Sequence, residues 1–184
     1  ALALPYLLTA QSQFQGITAN LLHPSGLQEL SLCFLPWLPC LLFVALGARV
    51  EGFSWKKWLL LYVLVLAAPF FAMLFLAAIG PQPESWAVVG SRWIAHLPTP
   101  LILAALLTLI LPRLVAKEPP LSRFLLILVG LGLLLIIAPE WAVVRDVFAT
   151  RMNTVFKTYY QAWLLLGLVA CVSVFVALAS PARW

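Results

Sequence analysis

Charge is the scarce commodity in this chain. Its 184 residues include 11 Lys and Arg and 6 Asp and Glu, which makes 9% charged, where a soluble domain carries about 25%. That scarcity excludes an ordinary soluble fold, because a single core of this size could not hide a chain that is 64% hydrophobic with mean hydropathy +1.06. Lipid is the solvent the composition demands. Cysteine is also sparse, with Cys33, Cys40 and Cys171 all inside apolar runs. Cys33 and Cys40 would lie about 10 Å apart along a helix, too far for a mutual disulfide, so the three read as small buried hydrophobes. There is no Walker motif, no Gly-x-Ser-x-Gly, no Cys/His cluster and no haem-attachment motif, so no cofactor and no metal are expected. Nor does a basic patch interleaved with aromatics occur, and the net charge of +5 gives no reason to expect nucleic acid as a partner. The opening ALALPYLLTAQSQFQGI lacks an initiator Met and the charged start of a signal peptide. Ala1 to Leu8 reads as the end of an upstream helix, and the chain as the C-terminal part of a longer polytopic protein.

What is present is a succession of apolar runs about as long as a bilayer is thick. Five spans are expected: Leu27 to Ala48, kinked at Pro36 and Pro39; Trp58 to Ile79, with Pro69 near its middle; Ile94 to Leu114, interrupted by Pro98, Pro100 and Pro112; Leu121 to Ala138; and Tyr160 to Ala179. The fold class is therefore an all-α integral membrane protein with about five transmembrane helices. Residues 1–26 form the end of an upstream helix and an external loop, and residues 27–138 hold four spans. An external amphipathic helix covers 139–159, and 160–184 supply the last span and a tail. Trp55, Trp58, Trp86, Trp93, Trp141 and Trp184 fall near span ends, as an aromatic belt requires. Gly130, Gly132 and Gly167 permit close helix approach, although no GxxxG occurs.

Loop charge orients the spans. Arg49, Lys56, Lys57, Arg113, Lys117, Arg123 and Arg183 fall on one side, and Arg92, Arg145, Arg151 and Lys157 on the other. The positive-inside rule places the C-terminus in the cytoplasm of a plasma-membrane protein and the opening segment outside. His23 and His96 fall on the outer side without metal-ligand spacing, and His23 with Pro24 reads as a loop turn.

Against this background, Pro139 to Trp163 stands out. PEWAVVRDVFATRMNTVFKTYYQAW concentrates Glu140, Arg145, Asp146, Arg151 and Lys157 beside the last span, and such concentration next to lipid usually has a use. On a continuous helix Asp146, Thr150, Asn153, Lys157 and Tyr160 make one polar stripe, while Trp141, Val144, Phe148, Met152, Val155 and Tyr159 collect opposite. The plain reading is an interfacial helix whose charges meet water and lipid headgroups. The functional reading is a cavity wall on which Arg and Lys hold a phosphate or pyrophosphate. Glu140 and Asp146 read first as structural partners of Arg145 or Arg151 rather than as a catalytic base.

RMNTVFKTYYQAW, with PEWAVVRD upstream, resembles the signature of the YYY family of polytopic membrane proteins, whose usual form is close to RMNTVFKFYYQAW. Thr158 stands where that family has an aromatic residue. The opening LPYLLTAQSQFQGI is similar to the family's LPFYLxFxSQxxGI segment, in the right order. The resemblance implies a likeness to C-type glycosyltransferases, which take sugars from polyprenyl-phosphate carriers. Their catalytic acids usually lie in an early external loop that this sequence lacks, so no catalytic residue is assigned. The implied binding residues are Arg145, Asp146, Arg151, Asn153, Lys157 and Tyr160, facing a polyprenyl-phosphate-linked sugar at the outer face. The alternative is a non-catalytic structural subunit of a larger membrane complex, photosynthetic or otherwise energy-transducing.

Overall fold

The computed structural model describes residues 16–37, 54–80, 83, 85–117, 119–144 and 151–179. Strand β1 (Ile17–Ala19) leads through a loop to α1 (Leu27–Phe34), which runs into a 3-10 turn at Leu35–Trp37. Then come α2 (Trp55–Ile79), α3 (Trp86–Ala95), α4 (Pro98–Val115), α5 (Pro120–Trp141), β2 (Ala142–Val144) and α6 (Met152–Ala179). The chain is an all-α integral membrane protein, with one short strand pair among the described residues. Among the described residues four helices are long and apolar enough to cross a bilayer: α2, α4, α5 and residues Met152–Val176 of α6. Of the first expected span, Leu27 to Trp37 is described. The turn to 3-10 geometry comes at Pro36, whose missing N–H cannot continue an α-helix. Its continuation, with Pro39 and Cys40, lies outside the described residues.

Proline bounds the third expected span instead of interrupting it. Pro98 and Pro100 occupy the first turn of α4, where backbone N–H groups have no helical partner to lose, and Pro112 falls in its last turn. The stretch before them, Trp86–Ala95, is a separate short helix.

The core lies between α4, α5 and α6. Leu126, Val129, Leu133 and Ile136 make one buried face of α5, spaced three and four apart. They meet Leu103, Leu107 and Ile110 of α4, and Ala162, Leu166 and Val169 of α6. Because lipid competes for apolar contact, shape complementarity holds such helices together. Gly132 shows it: a Cβ there would lie 2.9 Å from a Leu166 methyl. Over α2, in contrast, only 6% of the apolar span is buried, against 44% for α5. A tie from the Tyr62 hydroxyl to the Leu101 carbonyl, 3.2 Å, joins α2 to α4.

One end of the bundle carries a cap. There β1 pairs antiparallel with β2, Ile17 opposite Val144, Thr18 opposite Val143 and Ala19 opposite Ala142. Gly16, at φ +112°, turns the chain into β1 in a conformation that favours glycine. A second cluster of Ala19, Leu21, Met73, Ala77, Val89 and Trp141 seats the cap on α2, α3 and α5, with Trp141 stacked on Trp93 at 4.9 Å.

Here the structure divides the stretch expected as one amphipathic helix over 139–159. Helix α5 ends at Trp141, Ala142–Val144 is extended, and α6 begins at Met152 and runs without a break into the last span. Two things override the helical pattern. Val143 and Val144 are β-branched and find a strand partner. Asn20 meanwhile closes off the end of α5: its side-chain amide donates to the carbonyls of Pro139, at 2.9 Å, and Glu140, at 3.2 Å, and its backbone N–H to that of Trp141, at 3.0 Å.

Candidate functional site

The cap is built around Glu140, a carboxylate 2% exposed on the last turn of α5. Such a group is tolerated away from water only when donors surround it. Its Oε2 accepts from the Ser25 N–H at 2.6 Å. Its Oε1 accepts from the Ser25 hydroxyl at 2.7 Å, the Tyr159 hydroxyl at 2.9 Å and the Arg151 guanidinium at 3.4 Å. Ser25 is itself held in place, since Thr99 on α4 donates to its carbonyl at 3.0 Å. Arg151 donates a second bond, 2.8 Å, to the Ser25 hydroxyl. Four elements thus converge on one carboxylate: the loop before α1, α4, α5 and the start of α6.

On the outward side of Arg151 lies a cavity of about 500 Å³, lined by Leu22, His23, Pro24, Arg92, His96, Arg151 and Met152. Arg92 sits in the last turn of α3, with His96 four residues on and so on the same face. Arg92 also donates to the Leu22 carbonyl, fixing the loop that carries His23. Two arginines and two histidines line it, with no acid among the lining residues. His23 is held below 6.5, first by partial desolvation in its loop, then by Arg92 and Arg151. An anion in the cavity would offset that repulsion and raise the affinity of His23 for a proton.

The six residues read from the sequence scatter. Arg151 is central. Arg145 and Asp146 lie outside the described residues, and Asn153 is half-buried on the first turn of α6. Lys157 and Tyr160 are exposed, away from the cationic cavity. Tyr160 stacks on Phe156 at 6.5 Å and lines a separate, apolar groove with Cys33, Phe34, Tyr159 and Trp163. Tyr159, expected on the apolar face, supplies a hydroxyl to Glu140 instead. The pairing of Glu140 with Arg151 is present. Asn20, Ser25, Arg92 and Thr99 carry no local motif, and their role comes from the meeting of distant segments. Only the singular position of Asn20 between ITA and LL hinted at a buried polar duty. Among the described residues no group of three His, Cys, Asp or Glu is placed to hold a metal.

A family model described as "Uncharacterized membrane protein (DUF2298)" matches residues 1–166. The chain belongs to this family. The match to DUF2298 spans both stretches whose residues resemble the YYY proteins, the opening segment and the signature. Searches of curated proteins and of solved structures returned no match.

Proposed function

We propose that this DUF2298 chain is the C-terminal transmembrane part of a glycosyltransferase-C-like membrane protein. Its cationic cavity would take the phosphate of a polyprenyl-phosphate-linked sugar. The observation that carries the reading is the cavity walled by Arg92, Arg151, His23 and His96, at a helix-bundle end where a headgroup sits. Guanidinium groups suit phosphate because they present paired donors and keep their charge. Loop charge supports an outer-face location for this end, with the C-terminus in the cytoplasm of a plasma-membrane protein. Glu140 then serves as the counter-charge that positions Arg151. It is enclosed by donors, which argues against a role as general base, and the catalytic acid is left to another part of the full-length protein.

The test is retention of radiolabelled farnesyl phosphate by the detergent-solubilised chain. Arg92→Ala and Arg151→Ala should each lower retention about tenfold, the weight of one charge-assisted contact, and Lys157→Ala should leave it unchanged. Undiminished retention in both arginine variants would sink the headgroup reading. A second reading, a structural subunit of a larger complex, draws support from the exposed circumference of α2. It predicts stoichiometric co-purification with that complex.

A further inference from the structure

Three separate stretches of chain bring positive or protonatable side chains to the outward cavity. His23 comes from the loop before α1, Arg92 and His96 from the end of α3, and Arg151 from the residue before α6. The charge of Arg151 is partly balanced from behind, where the Glu140 carboxylate of α5 lies 3.4 Å away. The arginines keep their charge at every physiological pH. The histidines are therefore the adjustable part of the lining.

His23 is held beside both arginines by bonds on either side of it. Its backbone N–H donates to the side-chain oxygen of the buried Asn20 at 3.2 Å, and its carbonyl accepts from the Asn20 amide at 3.1 Å. The preceding carbonyl, that of Leu22, accepts from Arg92. His96 is fixed as well: its N–H donates to the Arg92 carbonyl at 3.1 Å, and its own carbonyl accepts from the Thr99 N–H at 3.1 Å. Groups fixed in this way lose little freedom when a ligand arrives.

A histidine placed beside two guanidinium groups resists a proton. Partial desolvation, then Arg92 and Arg151, hold His23 below its ordinary value. An oxyanion seated among these groups reverses the balance, because it attracts the charge that the arginines repel. Linkage makes the effect mutual: an anion that favours the protonated histidine is itself bound more tightly by it.

From this arrangement we propose that the cavity takes up an oxyanion and a proton together, with His23 receiving the proton. The proposal rests on the headgroup reading for the presence of an anion and adds how pH controls its occupancy. The ligand class is a phosphate- or sulfate-type oxyanion, borne on a lipid or free. The occupied site keeps its proton to a higher pH than the empty one. Affinity is therefore greatest at acid pH, falls as pH rises, and settles at the level the arginines sustain alone.

Sulfate esters test this, because their charge is constant over the range in which histidine titrates, about pH 5 to about pH 8. Binding of methyl sulfate and of farnesyl sulfate to the detergent-solubilised full chain is followed by calorimetry. Both should bind about tenfold more tightly at the acid end of that range, the weight of one charge-assisted contact. In mid-range each should draw a proton from the buffer, seen as heat that scales with the buffer's ionisation enthalpy, a reading that needs no variant. His23→Gln should flatten the pH profile at the weak end, and His23→Lys should flatten it at the tight end. Arginine-dependent binding that is level across the range, or that takes up no proton, would overturn the proposal and leave the headgroup reading standing. A steep profile that survives in His23→Gln would overturn the assignment of the proton. Farnesyl sulfate bound no better than methyl sulfate, with the profile intact, would support proton uptake and sink the headgroup reading. Binding of neither ester would remove both.

Discussion

Glu140 and Lys157 sit in the same charged stretch, yet the fold treats them oppositely. Glu140 is enclosed at the end of α5 with four hydrogen bonds from three residues. Lys157 stands exposed in the second turn of α6. On a single helix the two would lie about 25 Å apart along one axis. The strand at Ala142–Val144 ends the helix between them, and α6 packs alongside α5 with Arg151 and Tyr159 bonded to Glu140. Scarce charge near a membrane is therefore not one signal but two: a buried carboxylate that organises the cap, and a surface amine that meets headgroups or water.

That contrast can be broken in graded steps. Glu140→Ala should do the most damage, about 3–5 kcal/mol, since it removes one partner of a buried pair and leaves Arg151, Ser25 and Tyr159 facing a void. Thermal unfolding in detergent, followed by tryptophan fluorescence, reads the loss, and Glu140→Gln should recover part of it by keeping the shape and one acceptor. A Glu140→Ala protein that melts with the parent would show that the cap does not depend on its carboxylate. Next comes Asn20→Ala, at about 2 kcal/mol, because two carbonyls at the end of α5 lose their donor. Hydrogen exchange should rise first at the amide of residue 20, which is bonded to the Trp141 carbonyl, and at the amides of the Thr18–Val143 pair, and unchanged protection there would argue that the strand pair holds without the cap on α5.

Tyr159→Phe removes a single hydroxyl from a carboxylate with other donors, so about 1.5 kcal/mol is expected in the same melting experiment. Its aromatic packing on Phe34 should survive. Smallest of all is Lys157→Ala, within about 0.5 kcal/mol. A larger loss at Lys157 than at Tyr159 would reverse the comparison and restore the polar stripe as the organising feature.

Much of the fold was legible beforehand because hydropathy is a local property. The spans at Trp55–Ile79, Pro120–Trp141 and Met152–Val176 overlap the apolar runs read from residue type alone. At Pro36 the α-helix gives way to 3-10 geometry, where an N–H is missing, and Gly132 brings α5 onto α6 as a missing side chain allows. The candidate site was legible only in part. Arg151 was named, and Glu140 was matched with it or with Arg145, because all three lie in one conspicuous segment. Ser25 and Asn20 were missed because they lie 115 and 119 residues from the groups they bind. No periodicity reaches that far.

The sequence by itself determined the solvent and the spans, through the concentration of apolar side chains and the rarity of charge. It also marked out Pro139 to Trp163 as exceptional. Only the tertiary structure decided how that stretch is used: broken by a strand instead of continued as a helix, with Glu140 inside, Lys157 outside and Arg151 shared between the buried carboxylate and an open cavity. The physical reason is the satisfaction of polar groups. A buried carbonyl or carboxylate must find donors wherever the chain can supply them, and here Arg151 and Tyr159 from nearby are joined by Ser25 and Asn20 from a loop more than a hundred residues earlier.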